Sequence, residues 1–147
     1  MLFLFVLGVF WSTKNDELYT VQEGEVKFTS NAPLELIQAE TYQVLGLVNT
    51  EKNTFVFKVP MASFEGFNSP LQREHFNENY VESSKYPSSI FKGKILDDLD
   101  LGQDGVYESV PVRGGFSIHG VENERELLAD IDVKGDVIHI TSSFLVP

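Results

Sequence analysis

Apolar and polar residues alternate along most of this chain, and the dominant period is two. In Asn53 to Val59, Phe55, Phe57 and Val59 fall on one face and Thr54, Val56 and Lys58 on the other. That is the pattern of a half-buried strand. The polar run Asn49-Thr50-Glu51-Lys52-Asn53 reads as a hairpin loop, with Thr41 to Val48 as the partner strand. Val106 to Gly120 is the most informative stretch. Apart from Glu108, its even positions (Val106, Val110, Val112, Phe116, Ile118) predict one apolar face held in phase to the end. A flat strand rarely runs so far, so Gly114-Gly115 predicts a bend. Pro111 cannot donate to a ladder and predicts a bulge or an unpaired edge. Leu127, Ala129, Ile131 and Val133 share the face of a further strand. Ile138, Ile140, Phe144 and Val146 share that of another, beyond a Lys134-Gly135 turn. With Glu25–Ser30 and Ser89–Leu96, about seven strands result. Sequential hairpins with one apolar face predict an all-β antiparallel meander that curls into a barrel.

One stretch breaks the period. From Ser69 to Val81 the spacing predicts a helix: Ser69 with Gln72 forms a capping box, and Pro70 stands at the first helical position. Leu71, Phe76 and Tyr80 give it an apolar side, and Pro87 lies beyond its end. One or two turns are not stable alone, so this helix is expected to lie across one barrel mouth.

Length and composition bound the rest. At 147 residues with 42% hydrophobic residues and twelve phenylalanines, the chain predicts one domain with a large core. The formal net charge of -11, with no block of Lys or Arg, argues against nucleic acid as a partner. The lack of cysteine excludes disulfides and thiolate chemistry. Residues 1–12, MLFLFVLGVFWS, look like the apolar part of a secretory signal, although a positive leading region and a clean cleavage site are missing. An apolar first strand is the alternative.

Candidates for catalysis or metal binding are sparse. His75, His119 and His139 have no metal-ligand spacing, with His119 placed on the polar face of its strand. Ser117 in FSIHG lacks the glycine that a nucleophile elbow needs. The acidic run Asp97 to Gly105 departs from the calcium-loop pattern, with Gly102 where a ligand is needed and Ser109 where the closing glutamate belongs. It reads as a solvated turn. Glu108, the one charge on the apolar face of its strand, is placed at the barrel rim or paired with Arg113 or a lysine. No catalytic residue, no metal and no required cofactor are expected.

Three segments together resemble a known family: PLQREHFNENYVESSKYPSSIFKGKI, then Tyr107, then GGFSIHGVENERELLADIDV. With FVFKVPMASFEGF before the helix, they are similar to the YceI-like family, in the version common in Bacteroidetes-type bacteria. The likeness runs from about Gly24 to Val146, within a barrel domain set at residues 24–147. Arg73 is followed by Glu74 where the family often has aspartate, and Glu122 stands where many members have threonine. Family chains also continue past the strand matching Ile138 to Val146 to a last strand that closes the barrel, so the expectation here is a truncated chain or an open edge.

The resemblance implies a lipocalin-like antiparallel barrel, usually eight-stranded and exported to the periplasm or beyond. In some members its bore accepts a polyisoprenoid or an isoprenoid quinone tail. The apolar lining expected for such a ligand is Phe55, Phe57, Val59, Phe64, Phe76, Tyr80, Phe91, Val112, Phe116 and Ile118. An apolar lipid is then the expected partner, with transient membrane contact and pairing of two copies through an open edge as further interactions. The rival expectations are a solid-core stress-response or interaction module, and an enzyme using His75 or His119 beside a carboxylate.

Overall fold

In a computed structural model of the chain, residues 2–12, 18–32 and 35–146 are described. The alternating segments form nine strands among them: β1 (Leu2–Ser12), β2 (Leu18–Ala32), β3 (Glu35–Thr41), β4 (Leu45–Asn49), β5 (Thr54–Pro60), β6 (Ser88–Ile95), β7 (Gly105–Ile118), β8 (Val121–Lys134) and β9 (Val137–Val146). All pairings are antiparallel. The order β1-β9-β8-β7-β6-β5-β4-β2 returns to β1 through a β1–β2 ladder, so eight strands form a closed ring. β3 stands outside the ring, paired with the second half of β2, whose first residues pair with β4. The fold is the lipocalin-like barrel expected, with more strands than the seven anticipated. β3 was missed because Glu35, Leu36, Ile37 and Gln38 hold no clean alternation.

Residues 2–12, the signal-like segment, run as β1 between β9 and β2, from Leu2 opposite Val146 to Trp11 opposite Val137. The open edge expected at the end of β9 is therefore occupied in this structure.

β7 keeps its phase for less than its whole length. A bulge between Tyr107 and Val110, with Ser109 at φ 51°, reverses the faces. Before it Val106 and Glu108 are exposed and Tyr107 packs inward; after it Val110, Val112 and Phe116 are buried. Glu108 thus belongs to the outer face and leaves no charge on the inner one. The Ser109 N–H released by the bulge donates to Asp130 Oδ1 at 2.8 Å. The bulge falls just ahead of Pro111, whose carbonyl accepts from the Leu96 N–H.

At the predicted bend two neighbouring strands approach unusually closely. Gly93 of β6 lies opposite Gly114 of β7, so close that a Cβ on Gly93 would stand 2.0 Å from the Arg113 carbonyl oxygen. Only glycine allows that approach. β7 and β8 are joined by His119-Gly120, both at positive φ (52° and 72°), as a two-residue hairpin turn requires. His119 therefore sits in a turn, off the strand face expected for it.

Two apolar clusters fill the inside. One, around Val48, Phe55, Val112, Ile131 and Ile138, lies in the barrel. The other, around Val26, Phe28, Val59, Phe64, Phe76 and Val81, lies beneath the segment joining β5 to β6. That segment holds a 3-10 turn (Met61–Ser63), the helix α1 (Pro70–His75) and a π-turn (Phe76–Tyr80).

Candidate functional site

The cap over the second cluster begins as the sequence predicts. Ser69 Oγ accepts from the Gln72 N–H at 3.0 Å, and Pro70 opens α1. Gln72 reaches back one residue further than a capping box, its Oε1 accepting from the Asn68 N–H at 2.9 Å. The inner face of the cap differs from the one expected. After α1 the chain widens into a π-turn, closed by a hydrogen bond from the Val81 N–H to the Phe76 carbonyl at 3.0 Å. The extra residue moves the inner position from Tyr80 to Val81. Val81 and Phe76 are buried, whereas Tyr80 is 56% exposed and Leu71 59% exposed. Tyr80 is therefore not part of the lining. Phe76 stacks on Phe28 at 5.0 Å between centroids, with Phe64 edge-on to Phe28 at 5.1 Å.

Polar contacts fasten the cap to β3 and to the β7–β8 turn. Glu40 and Glu65 exchange two backbone hydrogen bonds of 2.8 Å, Thr41 and Ser63 hydroxyls share one of 2.7 Å, and Asn68 Nδ2 donates to the Leu36 carbonyl. At the far end, Glu82 Oε2 meets His119 Nε2 at 2.5 Å, and Tyr86 lies edge-on to the imidazole. This contact explains why YP and IHG occur together: the Tyr86 ring lies against Gly120, where a Cβ would approach it within 2.4 Å. The His119 hydrogen bond holds the Glu82 carboxyl below the usual carboxylate range. The pair is exposed, outside the bore, and ties cap to turn. His75 and His139 are exposed.

Beneath the cap the barrel encloses an apolar cavity of about 70 Å³. Phe55, Phe57, Val59, Phe91, Val112 and Phe116 line it, six of the ten residues expected, together with Val26, Leu127, Ile131, Ile140 and Phe144, among others. Phe64, Phe76 and Ile118 line a second space of about 30 Å³ directly under the cap. Val26, Val59, Ser89 and Phe116 belong to both walls, so a thin septum separates the two. Phe91, Phe116 and Phe144 meet across the bore, Phe116 and Phe144 edge-on at 5.5 Å. Val146, expected on the same face as Phe144, lies outside the residues whose side chains are described.

Polar groups in the wall are already satisfied. Ser89 Oγ donates to the Ser117 carbonyl at 2.9 Å, and Ser142 Oγ to the Leu128 carbonyl at 2.8 Å. Neither presents a hydroxyl hydrogen to the bore, and among the described residues no ionisable side chain lines it. The site can exclude water and accept hydrocarbon.

The other end of the bore is stopped by the acidic loop. Leu101, 0% exposed, and Leu99 pack into the barrel cluster. Asp100 Oδ1 accepts from the Gly102 N–H within the loop, and Asp104 Oδ1 accepts from the Gly135 N–H of the β8–β9 turn, tying the loop to the barrel. Asn53 Nδ2 donates to the Leu99 carbonyl. Among the described residues, no group of three His, Cys, Asp or Glu could hold a metal ion. The two leucines were missed in the sequence because they are scattered among aspartates without periodicity.

No family model matches the chain, and no curated protein matches it in sequence. Among solved structures, it is similar to a polyisoprenoid binding domain from Saccharophagus degradans, implicated in plant cell wall breakdown. The TM-score is 0.56 at 10% identity, over 99% of this chain and 98% of that one. At that identity the likeness establishes the fold alone.

Proposed function

We propose that the chain is a YceI-like protein whose bore holds the tail of an isoprenoid-type lipid, a polyisoprenoid or an isoprenoid quinone. In this reading it is a non-enzymatic binding protein, exported to the periplasm or secreted. The observation that carries the reading is the chemistry of the wall: among the described residues its side chains are aromatic and aliphatic, apart from two serine hydroxyls bonded away from the bore. The fold shared with a polyisoprenoid binding domain supports it. Each buried CH₂ is worth about 0.8 kcal/mol, so a branched tail binds here without a single charged contact, less the ordering cost.

The cavity of about 70 Å³ is smaller than the ~150 Å³ apolar cavity that takes up benzene. A tail enters only as the Phe91, Phe116 and Phe144 rings turn aside. The same narrowness favours the second reading, a solid barrel acting through its acidic surface. Organic extraction and native mass spectrometry of the protein purified from its own host separate the two. A stoichiometric isoprenoid is expected, and Phe57→Asp should abolish its retention by placing an unpaired charge in an apolar site. Protein that carries no lipid leaves the solid barrel as the reading.

A further inference from the structure

The outer face of β4, β5 and β6 is unlike the rest of this acidic molecule. Register places Leu45, Lys58 and Ile90 in one row across the three strands, Leu47, Val56 and Lys92 in the next, and Asn49, Thr54 and Lys94 in the third. Lys58, Lys92 and Lys94 are exposed, and among the described residues none has a carboxylate within ion-pair distance. Arg113 follows Lys94 in the adjacent strand, with its charge engaged by Glu126 at 2.9 Å and Glu124 at 3.8 Å. Four of the eleven Lys and Arg in a chain of net charge -11 thus occupy one side of one sheet. Between them Leu45, Leu47 and Ile90 are exposed, and Leu18 stands beside the face at the Asn49 end.

We infer that this face docks on an anionic lipid bilayer. Aliphatic side chains standing between lysines in the same plane suit the boundary of a bilayer, where leucines enter the acyl region and ammonium groups stay with phosphates. Charge complementarity selects the face: other acidic surfaces of the chain are repelled by such a bilayer, and Glu122, Glu124 and Glu126 on β8 bound the patch on one side. The inference rests on the reading of the bore, since a lipid carrier must meet the membrane that supplies its ligand.

Co-sedimentation with phosphatidylcholine vesicles, with and without phosphatidylglycerol, tests it. The full-length protein should bind the mixed vesicles, ignore pure phosphatidylcholine, and release as salt rises. Reversing Lys58, Lys92 and Lys94 together to Glu should weaken partition at least about a hundredfold, since each lysine near such a surface contributes roughly a fivefold effect. Leu45→Ser with Leu47→Ser should weaken it with the salt dependence retained. Melting curves of both variants confirm folding, because every substituted side chain is exposed. Equal binding to both vesicles, or unchanged binding by the triple variant, overturns the inference. Wild-type protein that ignores both vesicles but binds a polyglutamate peptide through the three lysines overturns it in favour of an acidic protein partner. Protein that carries extractable lipid yet ignores vesicles removes the docking face alone. Protein that binds mixed vesicles but carries no lipid keeps the face and removes the reading of the bore.

Discussion

Phe116 offers the most direct test of whether the barrel is a container. Its ring is 3% exposed, belongs to the septum between the two cavities, and meets Phe91 at 6.3 Å and Phe144 at 5.5 Å between centroids. Phe116→Ala removes a ring from a close-packed site that cannot fully collapse, which costs about 3–5 kcal/mol. For a chain of this length that is roughly 10–15 °C of melting temperature. If the bore is a permanent solid core, the loss is the same whatever the history of the sample. If a tail occupies the space once the ring turns aside, the tail refills the void in the variant, and ligand binding adds back stability through mass action. The assay is a pair of melting curves for wild type and variant, one after delipidation and one after loading with an isoprenoid quinone. The delipidated pair should differ by the full amount and the loaded pair by less than half of it. Equal differences in both states refute the reasoning, because the ring and the ligand would then not compete for space.

Two further outcomes follow from contacts at the edges of the site. The Glu82 carboxyl is held below its usual range by His119, so its contribution is present above the ordinary carboxylate pKa and disappears as pH falls through the lower folded value. Melting temperatures of wild type and Glu82→Gln should therefore differ near neutrality and converge in acid; a gap that stays constant with pH shows that the Glu82–His119 hydrogen bond does not tie the cap. Gly93→Ala drives a Cβ into the Arg113 carbonyl and should destabilise the barrel by about 3 kcal/mol or more in denaturant titration. Gly102→Ala, which meets only the Asp100 side chain at 3.1 Å, should stay within about 0.5 kcal/mol. Near-neutral behaviour of Gly93→Ala would show that the two backbones do not approach so closely there.

How much the chain disclosed of itself depended on whether a signal was local. Period-two alternation located β5 to β9 because one face of each is buried, and the Ser69 cap and Pro70 located the start of α1 to the residue. The apolar residues named for the lining came partly from that alternation and partly from the helix, and nine of the ten border the two cavities. Tyr80 failed because a π-turn adds one residue, and nothing in FNENYV signals i to i+5 pairing in advance. The reversal in β7 failed for a related reason: Ser109 adopts a positive φ to let Asp130 of the neighbouring strand cap its N–H, a contact 21 residues away. Leu99 and Leu101 were hidden because a plug at the end of a barrel needs no periodicity. The outer lysines were visible one at a time, but only register aligned them into a face.

The two closures of the bore differ in strength, and magnitudes indicate which yields first. Lifting the cap exposes Met61, Phe64, Phe76 and Val81, all buried, at about 1.5–3 kcal/mol each. With the Phe28 stack and the rim hydrogen bonds added, the cost exceeds about 8 kcal/mol. Withdrawing the acidic loop exposes Leu101 fully and Leu99 in part, and breaks the Asn53 and Asp104 hydrogen bonds. At about 1 kcal/mol net per hydrogen bond, that sum is roughly 4–5 kcal/mol before the loop regains its chain entropy. At about 1.4 kcal/mol per decade, the two sums place opening of the cap end about a hundredfold below opening of the loop end, before either segment regains its chain entropy. If a tail threads the bore, its weaker barrier is at the aspartate loop. By this comparison the segment joining β5 to β6 is the firmer closure of the two, and the run that reads as a solvated turn in the sequence is the weaker.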